Sequence, residues 1–355
     1  MIKQIFITIA LVLFSLGLLA QDLNYSQFYH NKMLINPAYT GINKSLNISL
    51  HHRNQWSGIG EGNLFQSSIA TIDYGLGRKT SGHYGSGLGA GLIYQQSKTG
   101  HSAYTTQELG IRLASDAPRA GKEKHGFMVQ FPVGISFSYI KQSFDWSDLV
   151  FSDNLDPVTG YIPGSASIPS NISQQAKAEY VSVGFGGMGG VKIKRKQKTA
   201  HYLSLGYSYK HYFSTPGSEN TYELPGKWNI HSLYHFPVSE VVLSPGIIYR
   251  RQGPFTIITA GMQANLPQNL TAGLWFRNQT STMQWSDYSD MIFNFSYQYK
   301  QFRLGYAYDM TISALGNSSS SGTHELFVQM SLYDDSQRRT SKRRQNTTCF
   351  FQGLK

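Results

Sequence analysis

The chain has a single cysteine, Cys349, close to its end. A disulfide framework and a cysteine-based metal cluster are therefore excluded. Charge is scarce: Asp, Glu, Lys and Arg make up 14% of the residues, against about 25% in soluble domains. Beyond residue 20 there is no long apolar run, which excludes a bundle of membrane-spanning helices. Hydropathy alone would then class the remainder as soluble. Catalytic signatures are missing as well, with no GxSxG elbow, no HExxH and no phosphate-cradling glycine loop. His51 and His52 are adjacent, and in a strand they point to opposite faces, so they cannot chelate one metal together. No catalytic residue and no cofactor is expected.

Aromatic residues and glycine, by contrast, are abundant: 23 Tyr, 20 Phe and 35 Gly. With so few charges, they suit strands that face lipid on one side and a packed lumen on the other. The first 20 residues read as a removable signal peptide. Lys3 supplies the positive start, residues 5–19 are apolar, and Ala20 precedes the cut before Gln21. That run of about 15 residues is short of the roughly 20 needed to cross a bilayer as a helix. No Cys follows the cut, which speaks against a lipoprotein. The formal charge of +11 falls to +10 when Lys3 leaves. An exported chain without a recognition motif is not expected to bind nucleic acid.

Alternation is the main structural signal. Met291, Phe293, Phe295, Tyr297 and Tyr299 share one face, and Ile292, Asn294, Ser296 and Gln298 the other. Phe302, Leu304, Tyr306 and Tyr308 oppose Arg303, Gly305, Ala307 and Asp309. Leu203, Leu205, Tyr207 and Tyr209 oppose Ser204, Gly206, Ser208 and Lys210, and Leu46, Ile48 and Leu50 oppose Asn47, Ser49, His51 and Arg53. A soluble sandwich would also alternate, but aromatic strand ends and connections that alternate between short and long favour a barrel. The pattern predicts an all-β, antiparallel outer-membrane β-barrel. About fourteen strands are expected, at 45–53, 64–74, 86–96, 103–114, 126–139, 178–193, 200–213, 226–236, 240–250, 255–264, 269–278, 290–299, 301–310 and 324–333. Even parity puts both ends of the chain on the periplasmic side. The loops 140–177, 214–225, 279–289 and 311–323 then fall outside. Connection 251–254 is too short for an external loop, and 75–85 and 115–125 are long for internal turns. The chain thus divides into a signal peptide (1–20), a periplasmic lead-in (21–44), the barrel (45–333) and a basic periplasmic tail (334–355).

The lead-in is the most informative segment. It carries Tyr25, Ser26, Gln27, Phe28 and Tyr29, then Asn36, Pro37, Ala38, Tyr39, Thr40 and Gly41. Asn-Pro and Gly are turn signals, and so many aromatics predict anchoring against the barrel mouth or lumen. Arg53, Asn54, Gln55 and Trp56 close the first strand. Trp56 suits an interfacial anchor, while Arg53 needs an inward partner. Arg303, Asp309 and Glu325 are expected to face inward and pair across the lumen, since a charge facing lipid at mid-depth costs about 2–4 kcal/mol. Acidic residues fall in two predicted external loops, Asp145, Asp148, Asp153 and Asp156, then Asp287 and Asp290. They read as solvated charges, or as a Ca²⁺ site without EF-hand spacing. Arg338, Arg339, Lys342, Arg343 and Arg344 form a basic run, either a solvated end or a docking tail for an acidic or anionic partner.

These same segments resemble the PorP/SprF family of the Bacteroidetes type IX secretion system. The match consists of SQF at 26–28, NPAYTG at 36–41, RNQW at 53–56, LGYAYD at 304–309 (with Gly305, Tyr306 and Asp309) and GTHEL at 322–326 (with His324 and Glu325). Thr323 departs from the usual Gly-Ser-His-Glu, and Cys349 is followed by Phe350, Phe351 and Gln352 in place of a Cys-Pro-Arg-Phe-like ending. The resemblance implies an outer-membrane, non-enzymatic protein of type IX export that associates with periplasmic ring components. It also implies support for secretion or surface attachment of an adhesin with a C-terminal sorting domain, in some members in gliding motility. The residues themselves leave two rivals standing: a passive porin, suggested by the polar alternate faces, and an outer-membrane lipid hydrolase, for which no Ser-His-carboxylate pattern is found.

Overall fold

Period-two alternation of this kind has one stable outcome in lipid. Backbone N–H and C=O groups must all be paired, so the sheet has to close on itself. The computed structural model shows that closure. It describes residues 24–42, 45–59, 65–76, 87–100, 104–116, 127–145, 155–156, 160–161, 175–194, 200–215, 223–281, 288–313 and 316–332. The barrel strands are β1 (Leu46–Gln55), β2 (Phe65–Leu76), β3 (Gly87–Thr99), β4 (Tyr104–Asp116), β5 (Val133–Asp145), β6 (Gln175–Lys194) and β7 (Ala200–Ser214). They continue as β8 (Lys227–Val238), β9 (Val241–Gln252), β10 (Phe255–Asn265), β11 (Leu270–Ser281), β12 (Tyr288–Tyr299), β13 (Phe302–Thr311) and β14 (Thr323–Leu332). Each pairs antiparallel with its neighbours in the chain, and β1 pairs with β14 from Leu46↔Leu332 to Gln55↔Thr323. The result is a closed barrel of fourteen strands, as the alternation predicts.

The strand expected at 126–139 is interrupted. Phe127–Gln130 pairs with β6 up to Gln130↔Gly190, and β5 resumes at Val133↔Gly187 in the same register. Pro132 lies in the gap, and it has no N–H to give the ladder. Several strands also run past their expected ends: β3 reaches Thr99 and β5 reaches Asp145. There the outward residues become polar, so the apolar alternation stops while the hydrogen-bonded ladder continues. Connections 146–174 and 312–322 share one rim, here the long-loop rim, and the tight turns at 239–240 and 300–301 share the other with the longer connections 77–86 and 117–126. The connection at Gly253 and Pro254, between β9 and β10, is a tight turn on the long-loop rim.

Apolar and aromatic side chains cover the outside, with Leu50, Leu88, Leu205, Phe295 and Leu304 exposed. No helix among the described residues is long and apolar enough to cross a membrane. Inward positions carry Asn47, Ser49, His51, Thr71, Ser136, Ser182, Ser204 and Asn294, all buried. What buries them is the amino-terminal segment. The stretch expected as a periplasmic lead-in runs inside the barrel as a plug. Asn24 meets Arg250 and Arg277 near the long-loop ends of β9 and β11. Gly41 meets Asp73 near the opposite rim. The chain therefore descends through the lumen before entering β1.

Two short 3₁₀ turns, Lys32–Leu34 and Pro37–Tyr39, compact the plug. Asn36 caps the second: its Oδ1 accepts from Ala38 N at 2.9 Å, and Pro37 follows at the first helical position. Asn36 Nδ2 then donates to Gly187 O (3.1 Å) and Tyr207 O (3.0 Å), and Ser208 Oγ donates to Ile35 O (2.7 Å). Glycine makes this approach possible. A Cβ at Gly186 would lie 2.1 Å from Asn36 Oδ1, and one at Gly134 would lie 2.5 Å from the Pro37 carbonyl carbon. Phe28, Tyr29 and Ile35 pack against Ile248, Trp275, Ile292 and Ala307 of the wall.

Gly186 and Gly187 provide a paired test. At outward-facing Gly187 the nearest atom to an added Cβ is 3.7 Å away. Gly186→Ala should destabilise the folded barrel by about 1–3 kcal/mol through overpacking, while Gly187→Ala should be neutral or slightly stabilising. The midpoint temperature of the heat-induced shift in electrophoretic mobility measures both.

Candidate functional site

Four well-separated sequence segments meet at the long-loop end of the lumen. Arg53 on β1 and Glu325 on β14 are cross-strand partners at the junction that closes the barrel. Asp309 lies on the adjacent β13. A turn of the plug at Ser26 and Gln27 closes over them. Glu325 Oε2 accepts from Ser26 N (2.7 Å), and Oε1 accepts from Gln27 N (2.9 Å). Gln27 Nε2 donates to the Glu325 carbonyl at 3.0 Å. Ser26 Oγ donates to Asp309 Oδ2 (2.6 Å) and accepts from Arg53 Nη1 (2.7 Å) and Arg277 Nη2 (2.9 Å). Arg53 Nη1 also reaches Asp309 Oδ2 at 2.8 Å and Glu325 Oε2 at 3.4 Å.

Arg277 on β11 ties in the far wall. It donates to Asp309, and its Nε lies 3.2 Å from Asp290 Oδ2. Arg250 Nη1 donates to Asn24 Oδ1 at 2.7 Å. His51 Nδ1 lies 3.7 Å from Glu325 Oε1. Two arginines (53 and 277) thus pair with three carboxylates (290, 309 and 325), and Arg250 ties the plug to β9 through Asn24. Asp290, Asp309 and Glu325 are all fully buried. Burying charge is costly unless it is paired and hydrogen-bonded, and here the plug backbone supplies bonds that the wall alone cannot.

The sequence-derived residues divide by position. Ser26, Gln27, Arg53, Asp309 and Glu325 form the network. Phe28 makes an edge contact with Trp275, with ring centroids 5.1 Å apart. Gly305 lies under Gln27, and a Cβ there would sit 2.3 Å from its Oε1. Asn36, Pro37 and Ala38 hold the lower turn. Gly41 adopts φ +66° and donates to Asp73 at 3.1 Å. Tyr306 and His324 face outward and bond to each other at 2.7 Å. Asn54 stands opposite both His324 and Gln66, and Gln55 opposite Thr323 and Phe65. Trp56 donates from Nε1 to Tyr288 OH at 3.2 Å.

Three expectations are corrected. Arg303 does not join Asp309 and Glu325. It sits toward the opposite rim, where it bonds His30 (3.3 Å) and Gln298 (2.6 Å). A guanidinium can only donate, so His30 Nδ1 is the acceptor of that bond. Asp290 is not one of the solvated loop acids: it lies in β12, inside the strand expected at 290–299, and pairs with Arg277. Of the other loop acids, Asp145 ends β5 and Asp156 lies in a short pairing, Leu155–Asp156 with Gly160–Tyr161. Asp148, Asp153, Asp287, the signal peptide and the basic run at Arg338, Arg339, Lys342, Arg343 and Arg344 lie outside the described residues. Among the described residues no cluster of three or more His, Cys, Asp or Glu side chains could hold a metal. Sequence reasoning missed Arg277, Asn24 and Arg250. Arg277 was findable, because Leu274 and Phe276 mark the lipid face of its strand and leave it inside.

Asp309→Asn should leave Arg53 and Arg277 without their shared carboxylate. The expected cost is about 3–5 kcal/mol, as for other broken buried pairs. Glu240→Gln, at an exposed turn, should leave the barrel's heat-unfolding midpoint unchanged in the same assay.

A family model described as type IX secretion system membrane protein PorP/SprF matches residues 18–330. No curated protein matches the chain. Among solved structures, the toluene transporter TodX of Pseudomonas putida is 11% identical, with 86% of this chain and 94% of that one covered and a TM-score of 0.42. A FadL homologue of Pseudomonas aeruginosa is 12% identical, with 88% and 95% covered and a TM-score of 0.41. The translocator domain of the autotransporter NalP from Neisseria meningitidis is 10% identical, with 81% and 88% covered and a TM-score of 0.36. Likenesses this distant carry no argument about what the chain does.

Proposed function

The chain belongs to the PorP/SprF family of type IX secretion system membrane proteins, and from that premise we propose that it is a non-enzymatic outer-membrane scaffold supporting export or surface attachment of a partner adhesin. The partner, one with a C-terminal sorting domain, is held at the long-loop rim. The opposite rim, with the basic tail, contacts periplasmic ring components of the machine. Gliding motility is one setting for such an adhesin. The signal peptide at 1–20 is removed on export.

The observation that carries this reading is the occupied lumen. A passive porin needs a water-filled path, but here the plug side chains of Tyr25, Ser26, Gln27, Phe28, Ile35 and Tyr39 are buried against the wall. A barrel so filled presents its two rims as surfaces. It also supports the non-enzymatic reading that Glu325 and Asp309, the acids of the most elaborate polar cluster, accept hydrogen bonds from Ser26 and Gln27 of the plug.

Two measurements test the proposal. Deleting the gene should reduce secretion or surface display of an exported adhesin; an unchanged set of exported and surface-attached proteins would contradict it. In planar bilayers the purified protein should be electrically silent, and stable open channels would favour the porin.

A further inference from the structure

The outer wall formed by β3 to β6 is layered, and its polar rows continue onto β2 and β1 through Gln66 and Asn54. Its outward residues fall into three registered rows near the long-loop rim. The lowest is apolar and aromatic: Tyr94, Leu109, Tyr139 and Val181 face one another across successive strands, and all are exposed. The next row up holds Gln96, Gln107, Lys141 and Glu179. Above it stand Lys98, Thr105, Ser143 and Lys177. Each step of two residues climbs about 7 Å along a strand.

The first row marks where lipid contact ends, since tyrosines collect at the interface between hydrocarbon and headgroups. The two rows above it therefore lie at headgroup depth. Three lysines lie in these rows, Lys98 on β3, Lys141 on β5 and Lys177 on β6, and lysine stems are long enough to reach toward one another and back down toward the boundary. The acids on this wall are Glu179, which hydrogen-bonds Tyr139, and Asp145, one row higher on β5. Elsewhere on the long-loop rim, the described outward residues include one further cation, Arg251 on β9. Three of the four described outward cations of this rim thus lie on one wall, directly above an unbroken apolar face.

We propose that this wall binds the phosphate-bearing headgroup of an anionic lipid in the outer leaflet, its acyl chains lying along Leu92, Leu109, Ile111, Phe137 and Val183. Lys98, Lys141 and Lys177 hold the phosphate, while Thr105, Ser143 and Gln107 are placed to bond polar headgroup atoms. Two ingredients meet here that a free anion would not require together: a cationic cluster and a lipid-facing surface continuous with it.

The test is lipid retention by the full-length protein in detergent, read by native mass spectrometry while titrating phosphorylated lipid A. Wild type should bind it more tightly than dephosphorylated lipid A, and binding should weaken as salt is added. Lys98→Gln/Lys141→Gln/Lys177→Gln should weaken it roughly 10- to 100-fold, from the worth of a lysine near an anionic surface, while Arg251→Gln should leave it unchanged. Heat-modifiable migration confirms folding of each variant, with Lys98→Gln/Lys177→Gln as the milder substitute. Equal binding by wild type and the lysine variants would overturn the proposal. So would an equal loss in Arg251→Gln, or full competition by inorganic phosphate.

Discussion

The ion pair between Arg53 and Glu325 sits where the first and last strands of the barrel meet, and the rest of the structure is organised around it. A closed sheet has no edge to expose to lipid, but closure brings together residues from opposite ends of the chain. Ser26 and Glu325 are 299 residues apart and bond through the backbone of one and the carboxylate of the other. Bringing such distant groups together costs loop-closure entropy. The return comes from a buried charge network shared among five strands (β1, β11, β12, β13 and β14) and the plug. Strands β2 to β10 lie between Arg53 and Arg277 in the chain, so the network also fixes which side of the barrel the start of the plug occupies.

The glycine content follows from the same constraint. A fourteen-stranded lumen has room for more than side chains, and here it is filled by backbone. Where the plug runs close to the wall, as at Asn36 over Gly186 and Thr40 over Gly89, the wall has no Cβ to place. Where it stands off, larger residues such as Trp275 and Phe327 fill the gap. A cylinder filled in this way offers little to a diffusing solute, which agrees with the scaffold role proposed above.

Much of this was legible in the sequence. Strand number came from the alternation, because lipid on one face and a crowded lumen on the other leave no tolerance for a slipped register. Arg53, Asp309 and Glu325 were assigned inward by the cost of a charge in lipid. The path of residues 24–42 was not legible, since a plug's route through the lumen has no sequence period. Asp290 opens the strand expected at 290–299 yet was also grouped with the loop acids, because alternation fades at a strand end: Tyr288 and Ser289 before it carry no lipid-face signature. Arg303 was grouped with the wrong partners because facing inward fixes a side and not a depth.

Hydrogen exchange tests the central claim most directly, that the amino-terminal segment is locked inside the closed barrel. If the network holds the plug, amides of residues 26–42 should exchange as slowly as those of the strands around them, with Ser26 and Gln27 among the most protected. Exchange of the whole segment at rates typical of a solvated leader, while the strands stay protected, would contradict it.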